Sequence, residues 1–334
     1  MNLLKPFLKI FTLTTAIIIA LLVYIMFIRQ PHYFLYAERW LINLYKGKDF
    51  INEMPTNKKR ILIVSGSNSL FGFNGEVIDK ATNFKPINYA SNAGLPLNFH
   101  IDRVMQHAKN GDAIFLPLEF HYYRASEPQH DIWYIHNMLS WGNGYDKYIS
   151  TRDKITGYLK NSPSRSIEWF FKGFNPKYKD EFDTQKMFHN PPFDFGYTSL
   201  SKYGDFCTQE GELSERVNSG YLGSDLQLST FFLSEYARLE SFAKSHNIKV
   251  FLVFPVTLEN PQFSLQDSNT YEKINNLVSQ LAKHNIKIYG NFEDSHFERK
   301  YFYNTEYHLN ASGTILRSQN FAKLLESLEK NGEI

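Results

Sequence analysis

Cysteine is almost absent: Cys207 is the single thiol among 334 residues. That excludes an internal disulfide and any zinc site built from several thiolates. The compartment stays open, because a protein outside the cytoplasm can do without disulfides. Net charge is equally scarce. Lys and Arg total 36 against 34 Asp and Glu, a formal +2, which argues against the chain-wide basic footprint of a nucleic-acid binder. A phosphate-cradling loop is lacking, since the Gly66–Gly72 turn has few glycines and no Lys-Ser or Lys-Thr pair after it. His100 with His107, and His130 with His136, have no convergent acidic cluster beside them. Neither a metal nor a cofactor is expected.

What is present is apolar and aromatic. Hydrophobic residues make up 43% and charged residues 21%, enough to bury a core and too little charge for disorder. With 29 Phe and 21 Tyr that core should be bulky, and a minority of the rings is left for an exposed groove.

From Ile10 to Ile28 no residue is charged. A helix of that length measures roughly 28 Å, close to the hydrocarbon thickness of a bilayer, and its threonine hydroxyls can bond back to their own helix. No small-residue cleavage site follows, so residues 10–28 read as an uncleaved signal anchor. Lys5 and Lys9 favour a cytoplasmic amino terminus, while Arg29, Arg39, Lys46 and Lys48 beyond the span pull the other way. The expectation is a single-pass protein of the cytoplasmic membrane with its globular part on the extracytoplasmic, periplasmic side. Residues 29–58, polar and aromatic, read as a stalk with short helical character.

After the stalk, short apolar runs alternate with helical periods. Strands are expected at 61–65, 86–90, 113–118, 249–254 and 286–289, and helices at 98–109, 229–245, 270–284 and 311–330. That alternation implies an α/β domain over 59–330, a three-layer sandwich around a central parallel sheet with right-handed crossovers. Residues 120–228, rich in Trp, Tyr and turn pairs, break the rhythm and read as an insertion.

Two segments carry candidate chemistry. Ser65-Gly66-Ser67-Asn68-Ser69 follows the first strand, where open α/β sheets place their sites. A serine there presents its hydroxyl beside helix-start N–H groups able to hold an oxyanion, although a serine-rich N-cap has the same composition. Tyr303-Asn304-Thr305-Glu306-Tyr307-His308 precedes the last helix, where a histidine can equally be a polar loop residue. A fold that brings both segments to one edge lets His308 take the Ser67 proton.

On these residues the chain resembles the SGNH (GDSL-like) hydrolase superfamily over about 60–122 and 230–326, and in particular its membrane-anchored envelope branch of esterases and acyltransferases. The resemblance implies a flavodoxin-like sheet, Ser67 as nucleophile with Ser69 as the fallback, and Gly72 as the glycine that follows. It implies Gly94, in Asn88-Tyr89-Ala90-Ser91-Asn92-Ala93-Gly94, as an oxyanion donor, with Asn92 close by. Ser65 and Gly66 depart from the family's Gly-Asp. Glu119-Phe120-His121 stands where a Gly-x-Asn block is usual, leaving His121 as a substitute donor or Glu119 and His121 as a structural pair. Thr305 stands where the family has aspartate three residues before the histidine, so Asn304 or Glu306 is left to orient the imidazole.

The function implied is a Ser-His esterase or O-acyltransferase acting on an acylated envelope glycan, with a membrane acyl-donor protein as a further partner. The alternative is a non-catalytic envelope assembly or binding protein on the same fold, in which Ser67 and His308 stay out of each other's reach.

Overall fold

The computed structural model describes residues 4–25, 39–126, 131–142, 144–160, 182–189, 192–213, 217, 219–223 and 225–334. In chain order the elements are α1 (Leu4–Val23), α2 (Arg39–Asn52), β1 (Lys59–Ile63), the single-turn α3 (Ser67–Leu70), α4 (Gly75–Ala81), β2 (Phe84–Asn88), α5 (Leu97–His107) and β3 (Ala113–Leu116). The single-turn α6 (His121–Arg124), α7 (Ile132–Trp141) and α8 (Thr151–Leu159) follow. Then come α9 (Thr230–Ser245), β4 (Lys249–Val253), β5 (Thr257–Leu258), α10 (Ser268–Ala282), β6 (Ile288–Tyr289), β7 (His296–Phe297) and α11 (Ala311–Lys330). By contact density the chain divides into two units, Met1–Ile42 with His130–Phe182, and Asn43–Gln129 with Asp183–Ile334.

In the first unit, α1 is long and apolar enough to cross a membrane: it has 20 residues, a mean hydropathy of 2.2 over its most apolar stretch and no buried residue. Twenty residues rise about 30 Å. Thr12 donates to the Leu8 carbonyl at 2.8 Å, so its hydroxyl is satisfied within the helix. The helix starts six residues before the expected Ile10 and takes in Lys5 and Lys9, while Met26–Ile28 lie outside the described residues. Asp131 caps α7 through the Tyr134 N–H, and Ser150 caps α8 through the Asp153 N–H.

The second unit is built on five strands in the order β2-β1-β3-β4-β6, every pair parallel. Ile61, Leu62 and Ile63 are all buried, as is the whole of β3. Burial of both faces is why these strands read as unbroken apolar runs. Pro86 sits in β2, an edge strand, where a missing N–H costs little. One sheet face, with Ile61, Ile63, Ala113, Phe115, Phe251 and Val253, shares a core with Phe321, Leu325 and Leu328 of α11. Helix α4 lies beside α11, and α9 lies against α5 and β4.

All five expected strands pair, but their ends differ. β1 stops at Ile63 and β6 holds only Ile288 and Tyr289. Beyond Ile63 the ladder persists as single bonds, Val64 N–H to Phe115 O at 2.9 Å and Tyr89 N–H to Ile63 O at 2.8 Å, before the chain turns off the sheet. The segment read as a stalk is partly a packed helix: in α2, Leu44, Tyr45, Lys48 and Ile51 are buried. Lys48 donates to the carbonyls of Asn88 and Gly204 at 2.7 and 2.5 Å, and burial drops its pKa to about 7.

Candidate active site

From β1 the chain first goes out to β2 and then returns across to β3, so strand order reverses between β1 and β3. The carboxyl ends at such a reversal open onto the crevice where doubly wound sheets bind ligands. Ser65-Gly66-Ser67 leaves β1 there, and Pro117-Leu118-Glu119 leaves β3 beside it.

Glu119, 1% exposed, joins the two strand ends. Its Oε2 accepts the Gly66 N–H and its Oε1 the Asn68 N–H, each at 3.1 Å. Buried carboxylates need such charge-assisted partners. A Cβ on Gly66 would run into the Glu119 carboxylate and come within 2.7 Å of the Ala93 Cα, so only glycine fits. Between the two engaged amides, Ser67 is half-buried, and neither its N–H nor its hydroxyl has a partner among the described residues.

Asn68 is held on every side. Its amide nitrogen donates to Pro117 O at 2.9 Å and to Ser65 Oγ at 3.2 Å. Arg317, 2% exposed, donates to Asn68 O at 2.8 Å and to Asn68 Oδ1 at 3.2 Å. Gly72 lacks a side chain because a Cβ would overlap both Asn68 O and the Arg317 guanidinium. Ser69 is fully buried, with its hydroxyl 2.6 Å from Ser65 Oγ and 3.4 Å from Asn68 Oδ1. A hydroxyl in that position supports the turn and has no route to a carbonyl, so Ser69 drops out as the fallback nucleophile.

The loop before α11 is stitched to the same turn. Leu309 N–H donates to Phe71 O at 3.2 Å, and Phe71 N–H to Ser67 O at 3.0 Å. The half-buried His308 imidazole lies flat on the Phe71 ring, centroids 4.1 Å apart and planes 14° apart. Its Nδ1 is 2.8 Å from Asn304 Oδ1. An amide oxygen only accepts, which assigns the proton to Nδ1 and leaves the Nε2 lone pair without a partner among the described residues. Burial lowers the His308 pKa to about 4, so the ring is neutral at pH 7. Ser67 and His308 share the edge but make no direct hydrogen bond. Glu306 does not orient the ring: its main-chain oxygen accepts the Tyr221 hydroxyl at 3.1 Å, and its carboxylate makes no bond to His308.

The other candidates also gather here. Gly94 donates its N–H to Asn92 Oδ1 at 2.7 Å, so that N–H is already engaged. His121 and Gly94 line one small cavity with Ala93, Leu95 and Tyr122. Burial lowers the His121 pKa against the opposing Glu119 charge, yet the two side chains make no hydrogen bond, because the Glu119 oxygens are taken by amides. Tyr122 braces the cavity through Leu95 O at 2.9 Å and the buried His100 at 3.0 Å. Beside His308, Phe71 meets Phe193, Phe195, Phe206 and Tyr303, and Phe195 is 48% exposed.

Sequence reasoning missed Arg317, Asn68 and Phe71. Arg317 had a signal: it occupies the apolar face of α11, in step with Thr314, Phe321 and Leu325, where a charge requires a buried partner.

No family model matches the chain, and no curated protein matches it. Among solved structures, the X-ray structure of protein YxiM from Bacillus subtilis is similar at a TM-score of 0.36 and 11% identity, over 84% of this chain and 58% of that one. This chain thus spans a little over half the length of that protein, and a likeness of this size bears on no residue of the site.

Proposed function

We propose that the protein is a membrane-anchored serine acyl-ester hydrolase or O-acyltransferase of the SGNH type, with its second unit on the outer side of the cytoplasmic membrane. The observation that carries the reading is the His308–Asn304 bond, 2.8 Å, on the loop tied to the Ser67 turn. It leaves a neutral imidazole with a free Nε2 at the edge where Ser67 offers an unengaged hydroxyl.

In the reaction Ser67 Oγ attacks the ester carbonyl carbon and its proton passes to His308 Nε2. The negative carbonyl oxygen takes the Ser67 N–H, and the Gly94 N–H once Asn92 releases it. Collapse expels the alcohol, which takes the proton from His308 and leaves an acyl-Ser67 ester. Water then gives hydrolysis, and a sugar hydroxyl gives transfer. The exposed Phe195 beside Phe71 and Phe193 supports a substrate with a flat sugar face, since aromatic rings pack on such faces. An acylated envelope glycan, supplied by a membrane acyl-donor partner, fits this chemistry and the apolar α1.

The second reading, a non-catalytic envelope binding protein, draws support from the missing Ser67–His308 bond and from the Gly94 N–H spent on Asn92. Labelling the full chain in detergent with a fluorophosphonate separates the two. The hydrolase reading expects labelling of the wild type, its loss in Ser67→Ala and His308→Ala alike, and its retention in Ser69→Ala. An unlabelled wild type leaves the binding protein in front.

A further inference from the structure

We infer that Glu119 is a positioning residue for Ser67, and that Arg317 completes the brace through Asn68. This rests on the reading of Ser67 as the nucleophile.

The turn presents three consecutive N–H groups, of Gly66, Ser67 and Asn68. Successive amides of this kind form a concavity that attracts an anion. Glu119 takes the first and third, at 3.1 Å each, and leaves the middle one. Its two oxygens therefore hold the Ser65–Gly66 peptide plane, one residue before Ser67, and the Ser67–Asn68 plane directly after it, and the span between them carries the Ser67 Cα–Cβ bond and the one N–H left for an oxyanion. A substrate oxygen can approach that N–H but cannot displace the carboxylate without unpairing two buried amides.

Arg317 secures the far side of the same residue. Its guanidinium bonds Asn68 O and Asn68 Oδ1 and lies over the Phe73 ring, 4.2 Å from its centroid. Gly72 is required to let it pass. The positive group also offsets the buried Glu119 charge, which would otherwise oppose a developing oxyanion at Ser67. Asn68, bonded at its N–H, carbonyl and side-chain amide, is the link through which both charges act on Ser67.

The test compares wild type with Glu119→Gln and Arg317→Lys, as full chains in detergent. Three quantities are read: the fluorophosphonate labelling rate, p-nitrophenyl acetate hydrolysis as kcat and KM, and thermal unfolding. Glu119→Gln keeps the shape but sets an NH2 against one of the two amides. In the folded variant the labelling rate and kcat should fall about 100-fold with KM within about twofold, the signature of a displaced nucleophile. Arg317→Lys, which cannot make both bonds to Asn68, should fall roughly tenfold. A purely structural Glu119 would lower the unfolding temperature and leave the labelling rate of the folded protein unchanged. Wild-type rates in folded Glu119→Gln overturn the inference alone. Should that variant not fold, wild-type rates in Arg317→Lys overturn it. A wild type that neither labels nor hydrolyses overturns the nucleophile reading, and this inference with it.

Discussion

The His308 imidazole and the Phe71 ring stack face to face, 4.1 Å between centroids. Phe71 is 3% exposed, and its own N–H bonds the Ser67 carbonyl. One aromatic side chain thus sets the plane of the histidine, dries one of its faces and ties it to the serine turn. Loss of hydration is the cause of the depressed His308 pKa, about 4. Replacing Phe71 by Leu should open that face to water and move the pKa back toward 6.5, which histidine ring resonances followed by NMR through a pH titration would report. An unchanged titration in Phe71→Leu would show that burial on the other face is sufficient.

Asn304 orients His308 without charge. Asn304→Asp retains the acceptor oxygen and adds a negative charge beside the ring. It should raise the His308 pKa and increase the fluorophosphonate labelling rate at pH 7, because the imidazolium that the proposed serine attack forms becomes more stable. Asn304→Ala frees the ring to rotate and should slow labelling. Equal rates in all three proteins would separate His308 from the chemistry.

The strands were legible because β1, β3 and β4 bury both faces and so read as continuous apolar runs. Their ends were not, since Val64 keeps a ladder bond after the strand has closed. The Asn304–His308 contact was legible only through the resemblance, whose aspartate position falls on Thr305 between Asn304 and Glu306. The Glu119 brace was not: it needs β3 to lie beside β1 with β2 on the other side, a pairing that no local pattern encodes. Helical character was legible at α2 but its burial was not, because Asn43, Lys48 and Asn52 are buried along with its apolar residues.

Acid should destabilise the fold well above the carboxylate range. His100, 1% exposed, has its pKa lowered by burial to about 3, and His308 to about 4. In the unfolded chain both protonate near 6.5, so between that pH and the folded pKa the unfolded state binds more protons. Stability then falls as pH falls, from about 6.5 to about 4 for His308 and to about 3 for His100, at about 1.4 kcal/mol per pH unit for each. Urea unfolding at pH 7.5, 6.0 and 5.0 measures the slope, and His100→Gln should remove part of it. A flat profile over that range would mean that the two rings reach solvent in the native state.

Membrane insertion and sidedness are separable with this chain. α1 is uncharged from Ile10 to Val23, and an arginine near the centre of a spanning helix costs about 2.5–3.5 kcal/mol. Leu13→Arg with Ala16→Arg should therefore shift the protein from the carbonate-resistant membrane fraction toward the soluble one, whereas the wild type stays in the pellet. For sidedness, the lone thiol is an asset. In a Cys207→Ser background the exposed Lys244 on α9 can be replaced by cysteine, which becomes the single reporter. An impermeant maleimide added to intact spheroplasts should label it without lysis if the second unit faces outward. Labelling that appears only after lysis would put the unit in the cytoplasm. An envelope glycan would then be out of reach, and a serine hydrolase there would need an acylated substrate on the inner face.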